Sequence, residues 1–267
     1  MCGLAGWFDV LPDAGPPPGP VRRRRALDLL RDRGPDDEGE WIAADGRAGL
    51  LHRRLAIVDR AGGAQPMEGP RPGGRLAWNG ELFEAAERRE ALRRAGAAIR
   101  TRSDTEVLAH LLAGDGPGAL DDEPGQWALA WIDEPRGELL LARDAAGEKP
   151  LYVARSGGRV AFASTLDALR ALVPVDAEID REALSLYLSW GFVPAPLTIL
   201  RGVRKLVAGQ RLLWRRGDAE PSDLARAPAP HAPAGAYACA ASFDAGARRL
   251  EFVQVAACEE VLVRVRP

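Results

Sequence analysis

Two neighbouring apolar runs, Gln126–Asp133 and Glu138–Arg143, constrain the fold of this chain more than any other stretch. Each has strand length, and Glu134-Pro135-Arg136-Gly137 between them has the composition of a tight turn. Shorter strands are expected near Pro150–Ala154 and Arg159–Ala163, split by Ser156-Gly157-Gly158. Upstream, Gly3–Phe8, Glu40–Ala44, Gly49–Asp59 and Arg75–Trp78 also read as strands, the last breaking sharply at Asn79-Gly80. Helical patterns cover Val21–Arg33, Leu82–Arg94, Asp104–Leu112, Thr165–Leu172 and Arg181–Trp190. Gly34-Pro35 is expected to stop the first helix, and Ser103 or Asp104 to start the third. Successive hairpins with helices at both ends argue for packed layers rather than a Rossmann-type sheet.

Beyond Gly217 the character changes. Asp218–Ala236 is dense in proline and alanine and reads as a linker, after which Arg248–Val255 and Val261–Arg266 could pair as a terminal hairpin. The expected division is therefore one domain over residues 2–216 and a linker with a short extension over 217–267.

Charge and cysteine usage exclude several function classes. Thirty-six basic residues nearly cancel 38 acidic ones, so no overall field favours nucleic acid or an anionic membrane. No apolar run approaches the roughly 20 residues that a bilayer span needs. The first basic residues, Arg22–Arg25, follow a proline-rich loop, which argues against a secretory signal. Cys2, Cys239 and Cys258 make neither a disulfide framework nor a paired zinc motif, so the expectation is a cytoplasmic protein without metal or cofactor. Lys149 and Lys205 are the only lysines, and the arginine excess reads as compositional bias rather than function.

Cys2 is the first candidate for chemistry. If Met1 is removed, the free α-amine of Cys2, with a reference pKa of about 7.7–8.0, can take the proton of its own thiol and no histidine base is required. His52, His110 and His231 occupy no evident catalytic setting. The plain alternative is a small buried hydrophobe in a terminal strand. Asn79-Gly80 could aim a side-chain amide and a backbone N–H at one oxyanion, or simply form a hairpin turn. Arg54 could clamp a carboxylate or lie solvated on the surface. Asp104 could bind an ammonium, or favour a helix N-terminus together with Glu106.

The order of the short motifs adds to these readings. Cys2-Gly3-Leu4-Ala5-Gly6, Arg33-Gly34-Pro35-Asp36, Arg54-Leu55-Ala56-Ile57-Val58-Asp59, Gln65-Pro66-Met67, Asn79-Gly80-Glu81 and Ser103-Asp104-Thr105-Glu106 follow one another. Arg143-Asp144, Gly147, Lys149-Pro150-Leu151-Tyr152, Phe162-Ala163-Ser164, Phe192-Val193-Pro194-Ala195-Pro196 and Arg201–Leu206 continue the series. The series resembles the glutamine-hydrolysing half of the asparagine synthetase family, a class II glutamine amidotransferase. The resemblance implies an α+β fold, the four-layer αββα sandwich of N-terminal nucleophile hydrolases. It implies Cys2 as nucleophile on the glutamine side-chain amide, with Asn79 and Gly80 as the oxyanion hole. Arg54 would hold the substrate α-carboxylate, Glu81 and Asp104 would face its α-amine, and Leu55, Ile57 and Val58 would line the pocket.

Departures from the family pattern are Asp32 where histidine is usual, Thr165 where glutamate is usual, and Ala145-Ala146 in the segment after Asp144. Ser156-Gly157-Gly158 lacks the Asp-Ser ending of the family's pyrophosphate-binding motif, and no Walker A motif occurs. The expectation is a glutaminase subunit whose ammonia passes to a separate ATP-dependent synthetase or ligase, with self-association left open. Two alternatives stand beside it: a non-catalytic glutamine-binding or scaffold remnant of a truncated synthetase-like protein, and an amidase that needs no partner.

Overall fold

The computed structural model describes residues 1–121 and 123–224, together with the backbone of Ala238–Asp244, Arg249–Val255 and Val261–Val263. The first sheet is built from β1 (Gly3–Asp9), β2 (Asp37–Ile42), β3 (Ala48–Arg54), β8 (Tyr152–Ser156), β9 (Arg159–Ala163) and β10 (Arg204–Lys205). Its strand order is β10-β8-β9-β1-β3-β2. The second sheet holds β4 (Met67–Glu68), β5 (Gly74–Leu82), β6 (Gly125–Asp133), β7 (Glu138–Arg143), β11 (Arg211–Arg215) and β12 (Ser222–Leu224). Its order is β12-β11-β7-β6-β5-β4, and every pairing in both sheets is antiparallel.

Three apolar layers follow from the two-residue period of the strands. Leu4, Phe8, Leu50 and Phe162 of the first sheet meet Ala77, Ala130, Ile132 and Leu141 of the second in the central core. On the outer face of the first sheet, Ala5, Leu51 and Ala161 pack against α1 (Pro20–Leu29) and α4 (Leu166–Leu172) through Leu27, Leu30 and Leu169. On the outer face of the second, Leu76, Trp78, Trp127 and Leu129 pack against α3 (Asp104–Asp115), beside α2 (Ala85–Arg94). The result is the expected four-layer αββα sandwich. The fifth helix, α5 (Arg181–Trp190), follows an N-cap at Asp180 that accepts from the Ala183 N–H at 3.0 Å. Thr165 caps α4 by accepting from Ala168, which gives that family departure a local use.

Several element bounds differ from the sequence expectation. Helix α1 ends at Leu29 rather than Arg33, because Leu30–Gly34 tighten into successive turns before the glycine and proline are reached. The strand expected over Gly49–Asp59 stops at Arg54, where the side chain of Asp36 takes the Ala56 N–H at 2.8 Å and the chain leaves the sheet. β5 does not break at Asn79-Gly80 but runs to Leu82, paired with β6 along its whole length. Ser222–Leu224 extends the second sheet past residue 216. Further on, β13 (Ala238–Asp244), β14 (Arg249–Val255) and β15 (Val261–Val263) form an antiparallel sheet, so the suggested pairing of β14 with β15 is present. The rest of the linker and the ends of that hairpin lie outside the described residues. Among the described residues no helix is long and apolar enough to cross a membrane.

Candidate active site

Alternation along the strands carries the central core directly into a polar cavity. Leu4, Leu50 and Ala77 face the gap between the sheets. Two residues on from each, Cys2 before β1, His52 on β3 and Asn79 on β5 face the same gap, as do Arg54 and Glu81 after them. There the sheets enclose a cavity of about 270 Å³, lined by all nine residues nominated from the sequence: Cys2, Arg54, Leu55, Ile57, Val58, Asn79, Gly80, Glu81 and Asp104.

Cys2 is half-buried at the head of β1. Its Sγ lies 3.4 Å from the Leu55 N–H, which donates to it, and 3.8 Å from the Leu55 carbonyl. Arg33 Nε holds the Cys2 carbonyl at 3.0 Å, so the residue is fixed from both sides. Burial pushes the thiol pKa up, opposed by the Leu55 contact, the terminal amine and Arg54. His52 spends Nε2 on the Trp78 carbonyl, and His110 sits on α3 beside Glu106; neither is hydrogen-bonded to Cys2. His231 lies outside the described residues.

Opposite the thiol, β5 supplies donors. Asn79 is 2% exposed, and its Nδ2 is buried without a hydrogen-bond partner among the described residues. An unpaired buried amide is costly, which sets this side chain apart within the cavity lining. The Trp78 N–H points off the free edge of β5 to Gln65 Oε1 (2.7 Å), and the Leu82 N–H to Asp104 Oδ2 (3.4 Å). Backbone N–H groups alternate along an antiparallel strand, so Gly80 between them also directs its N–H off that edge, towards the cavity. A side chain at Gly80 would collide with Trp127 Cβ and the Gln126 carbonyl. Asn79-Gly80 is thus mid-strand, not a turn.

Arg54 is buried rather than solvated. Its guanidinium donates to the carbonyls of Arg60 (2.8 Å), Val58 (3.0 Å) and Asp59 (2.6 Å), pinning the 55–62 loop beneath the cavity. Asp59, in the left-handed region at φ 45°, closes the loop by accepting from Gly62 and Arg102. Asp104 and Glu81 form an acidic edge; burial, reinforced by Glu81, raises the Asp104 pKa despite the Leu82 N–H and the backbone N–H groups at the helix start that lower it. Glu106 turns away to accept from the backbones of Arg100 and Thr101, which separates it from the cavity chemistry.

Gln65, Trp78, Ser103, Thr105, Gln126 and Lys149 also line the cavity; the sequence offered Ser103 as a helix start, which it is, but gave none of them a part in the chemistry. Gln65 and Lys149 stand within recognised motifs, yet no local pattern shows what they touch. Lys149 Nζ donates to Gln126 Oε1 at 2.8 Å. The fully buried Asp144 accepts from the N–H groups of Trp127, Glu148 and Lys149, which keeps that corner intact despite Ala145-Ala146. Among the described residues no group of three histidines, cysteines or acids could hold a metal ion.

Comparison with known proteins gives a consistent result. The family described as glutamine amidotransferase domain matches residues 1–224. The chain is 34% identical over 225 residues to asparagine synthetase (glutamine-hydrolyzing) 3 of Bacillus subtilis, covering 81% of this chain and 35% of that protein. It is 38% identical over 182 residues to asparagine synthetase B (glutamine-hydrolyzing) of Escherichia coli, covering 66% of this chain and 30% of that one. The chain therefore spans about a third of the length of these relatives. The solved glutamine phosphoribosylpyrophosphate amidotransferase of B. subtilis, complexed with ADP and GMP, superimposes with a TM-score of 0.58 at 20% identity. That match covers 83% of this chain and 48% of that one, and the fold shared is that of the N-terminal nucleophile hydrolases.

Proposed function

Since the chain belongs to the glutamine amidotransferase domain family, we propose that its cavity hydrolyses glutamine to glutamate and ammonia through a thioester on Cys2. The observation that carries this reading is the convergence on one cavity of the Cys2 thiol and the unpartnered Asn79 amide, with Arg54 and two acids around them.

Removal of the exposed Met1 leaves the Cys2 α-amine as the group that accepts the thiol proton, directly or through one water. Sγ attacks the side-chain carbonyl carbon, and the oxyanion takes the Asn79 Nδ2 and Gly80 N–H donors. The protonated amine returns its proton to the departing nitrogen, which leaves as ammonia. Water then attacks the γ-glutamyl thioester, and glutamate is released as Sγ regains a proton. Arg54 pairs with the substrate α-carboxylate, while Glu81 and Asp104 pair with its ammonium. Leu55, Ile57 and Val58 form the wall along the substrate's chain.

The ammonia acceptor would be activated by an ATP-dependent synthetase or ligase acting with this domain, as the names of the relatives suggest. Mass spectrometry after treatment with an electrophilic glutamine analogue tests the reading. The expected product lacks Met1 and carries one adduct on Cys2, and the untreated protein releases glutamate from glutamine. Retained Met1 with an unmodified thiol, in a protein that still binds glutamine, would instead favour a scaffold. Faster turnover of another amide would favour a partner-free amidase.

A further inference from the structure

His52 is wholly buried, polar and unused by the reaction just described. Its place in the fold explains it. Strand β4 covers β5 only at Leu76 and Arg75, so the outer edge of β5 beyond them has no strand beside it among the described residues. At Trp78 both backbone groups on that edge are instead taken by side chains: Gln65 Oε1 accepts from the N–H, and His52 lies 2.9 Å from the carbonyl. The carbonyl can only accept, so His52 Nε2 carries the proton. Gln65 and the Trp78 indole both reach Thr105 Oγ1, next to Asp104 at the start of α3.

The His52 bond crosses between the two sheets. His52 sits on β3 directly opposite Leu4 of β1, two residues from Cys2. Trp78 immediately precedes Asn79 on β5. One side chain thus links the strand pair that carries the nucleophile to the strand that carries the oxyanion donors.

We propose that His52 is a positioning residue for the oxyanion site: by donating from Nε2 to the Trp78 carbonyl it sets the separation between Cys2 and the Asn79-Gly80 donors. This rests on the glutaminase reading of the cavity. Burial lowers the ring's pKa to about 4, so it stays neutral at assay pH and acts through geometry rather than proton transfer. Small displacements of reacting groups are expensive; about 1 Å can cost roughly a hundredfold in rate.

The test compares H52L, which keeps bulk without a donor, with H52Q, whose amide N–H reaches as far as imidazole Nε2. Two thiol reagents separate geometry from folding: a glutamine-derived chloroketone, whose reaction passes through an oxyanion, and iodoacetamide, whose reaction does not. H52L is expected to lower kcat for glutamine by about ten- to a hundredfold with KM within about threefold. It should slow chloroketone labelling in proportion and leave iodoacetamide labelling within about twofold, while H52Q recovers most of kcat. Unchanged kcat in H52L, equal loss in H52Q, or parallel loss of both labelling rates would overturn the proposal. Should H52L not fold, the ring signals of His52 in the parent protein decide. A slowly exchanging Nε2–H and a neutral ring from pH 5 to 9 are expected on this reading; a proton on Nδ1 is incompatible with it. Failure of the functional reading shows as an inactive, unlabelled parent, whereas failure of this proposal shows while the parent is active.

Discussion

The β5 wall of the cavity and the 55–62 loop wall are held in place by different means. Along β5, Asn79 and Gly80 are paired with β6, backed by Trp127, and tied at Trp78 to Gln65 and His52. The loop has no ladder. It is held by the Arg54 guanidinium, by Asp36 on the Ala56 N–H, and by Asp59 across its own turn. Two of its apolar side chains stand in solvent, with Ile57 79% and Val58 45% exposed. Transition-state donors gain most from a wall that cannot move, since they then need no reorganisation as charge develops. Recognition of an amino acid's ends and chain can be left to a wall that closes when substrate supplies the missing contacts.

Mutations can break this contrast in order of expected effect. Asn79→Ala removes a donor that no described protein group satisfies. It should lower kcat by about 10²–10³ with little change in KM. A comparable change in both constants, read from steady-state glutamate release, would mean that this wall also serves ground-state binding. Arg54→Lys acts on the other wall: one ammonium cannot serve three carbonyls and a carboxylate. KM for glutamine should rise by roughly ten- to a hundredfold, the equivalent of about 1.5–3 kcal/mol for hydrogen bonds to a charged group.

A pH series sharpens the contrast further. Burial raises the Asp104 pKa, so its charge is lost at a higher pH than that of an exposed aspartate. KM should therefore climb on acidification before kcat is affected by this group, and Asp104→Asn should carry a raised KM that no longer follows pH in that window. The stability term has the opposite sense. With its folded pKa above the unfolded value, this carboxyl favours the fold most at low pH, and that contribution is lost as pH rises through the unfolded and then the folded pKa. Asp104→Asn should unfold less readily at neutral pH, as thermal melts would show. The smallest effect is expected for Ile57→Ala, at a side chain that is 79% exposed: stability within about 0.5 kcal/mol and KM within about threefold. A tenfold rise in KM would show that the loop closes Ile57 over substrate.

Legibility in the sequence follows the same division. The strands that flank the core were readable because their apolar runs are continuous, as in Gly125–Asp133 and Glu138–Arg143. Bounds failed where local chemistry misleads. Asn-Gly signals a turn, but here the glycine is required because Trp127 packs against β5. Ile57-Val58 prolongs an apolar run, yet Asp36 and Arg54 draw that segment out of the sheet. What Gln65, Thr105 and His52 do was not legible, because it consists of contacts with Trp78 across 13, 27 and 26 residues.

By itself the amino-acid sequence determined packed α+β layers, since periodicity is a property of short segments, and the order of its motifs nominated candidate site residues through a family resemblance. Only the tertiary structure decided which groups face one another. The pairing of β1 with β3, and the stacking of that sheet on β5, bring residues 2, 54, 79 and 104 around one cavity. Such juxtaposition depends on register and on contacts between distant strands, which no local stretch of the chain encodes.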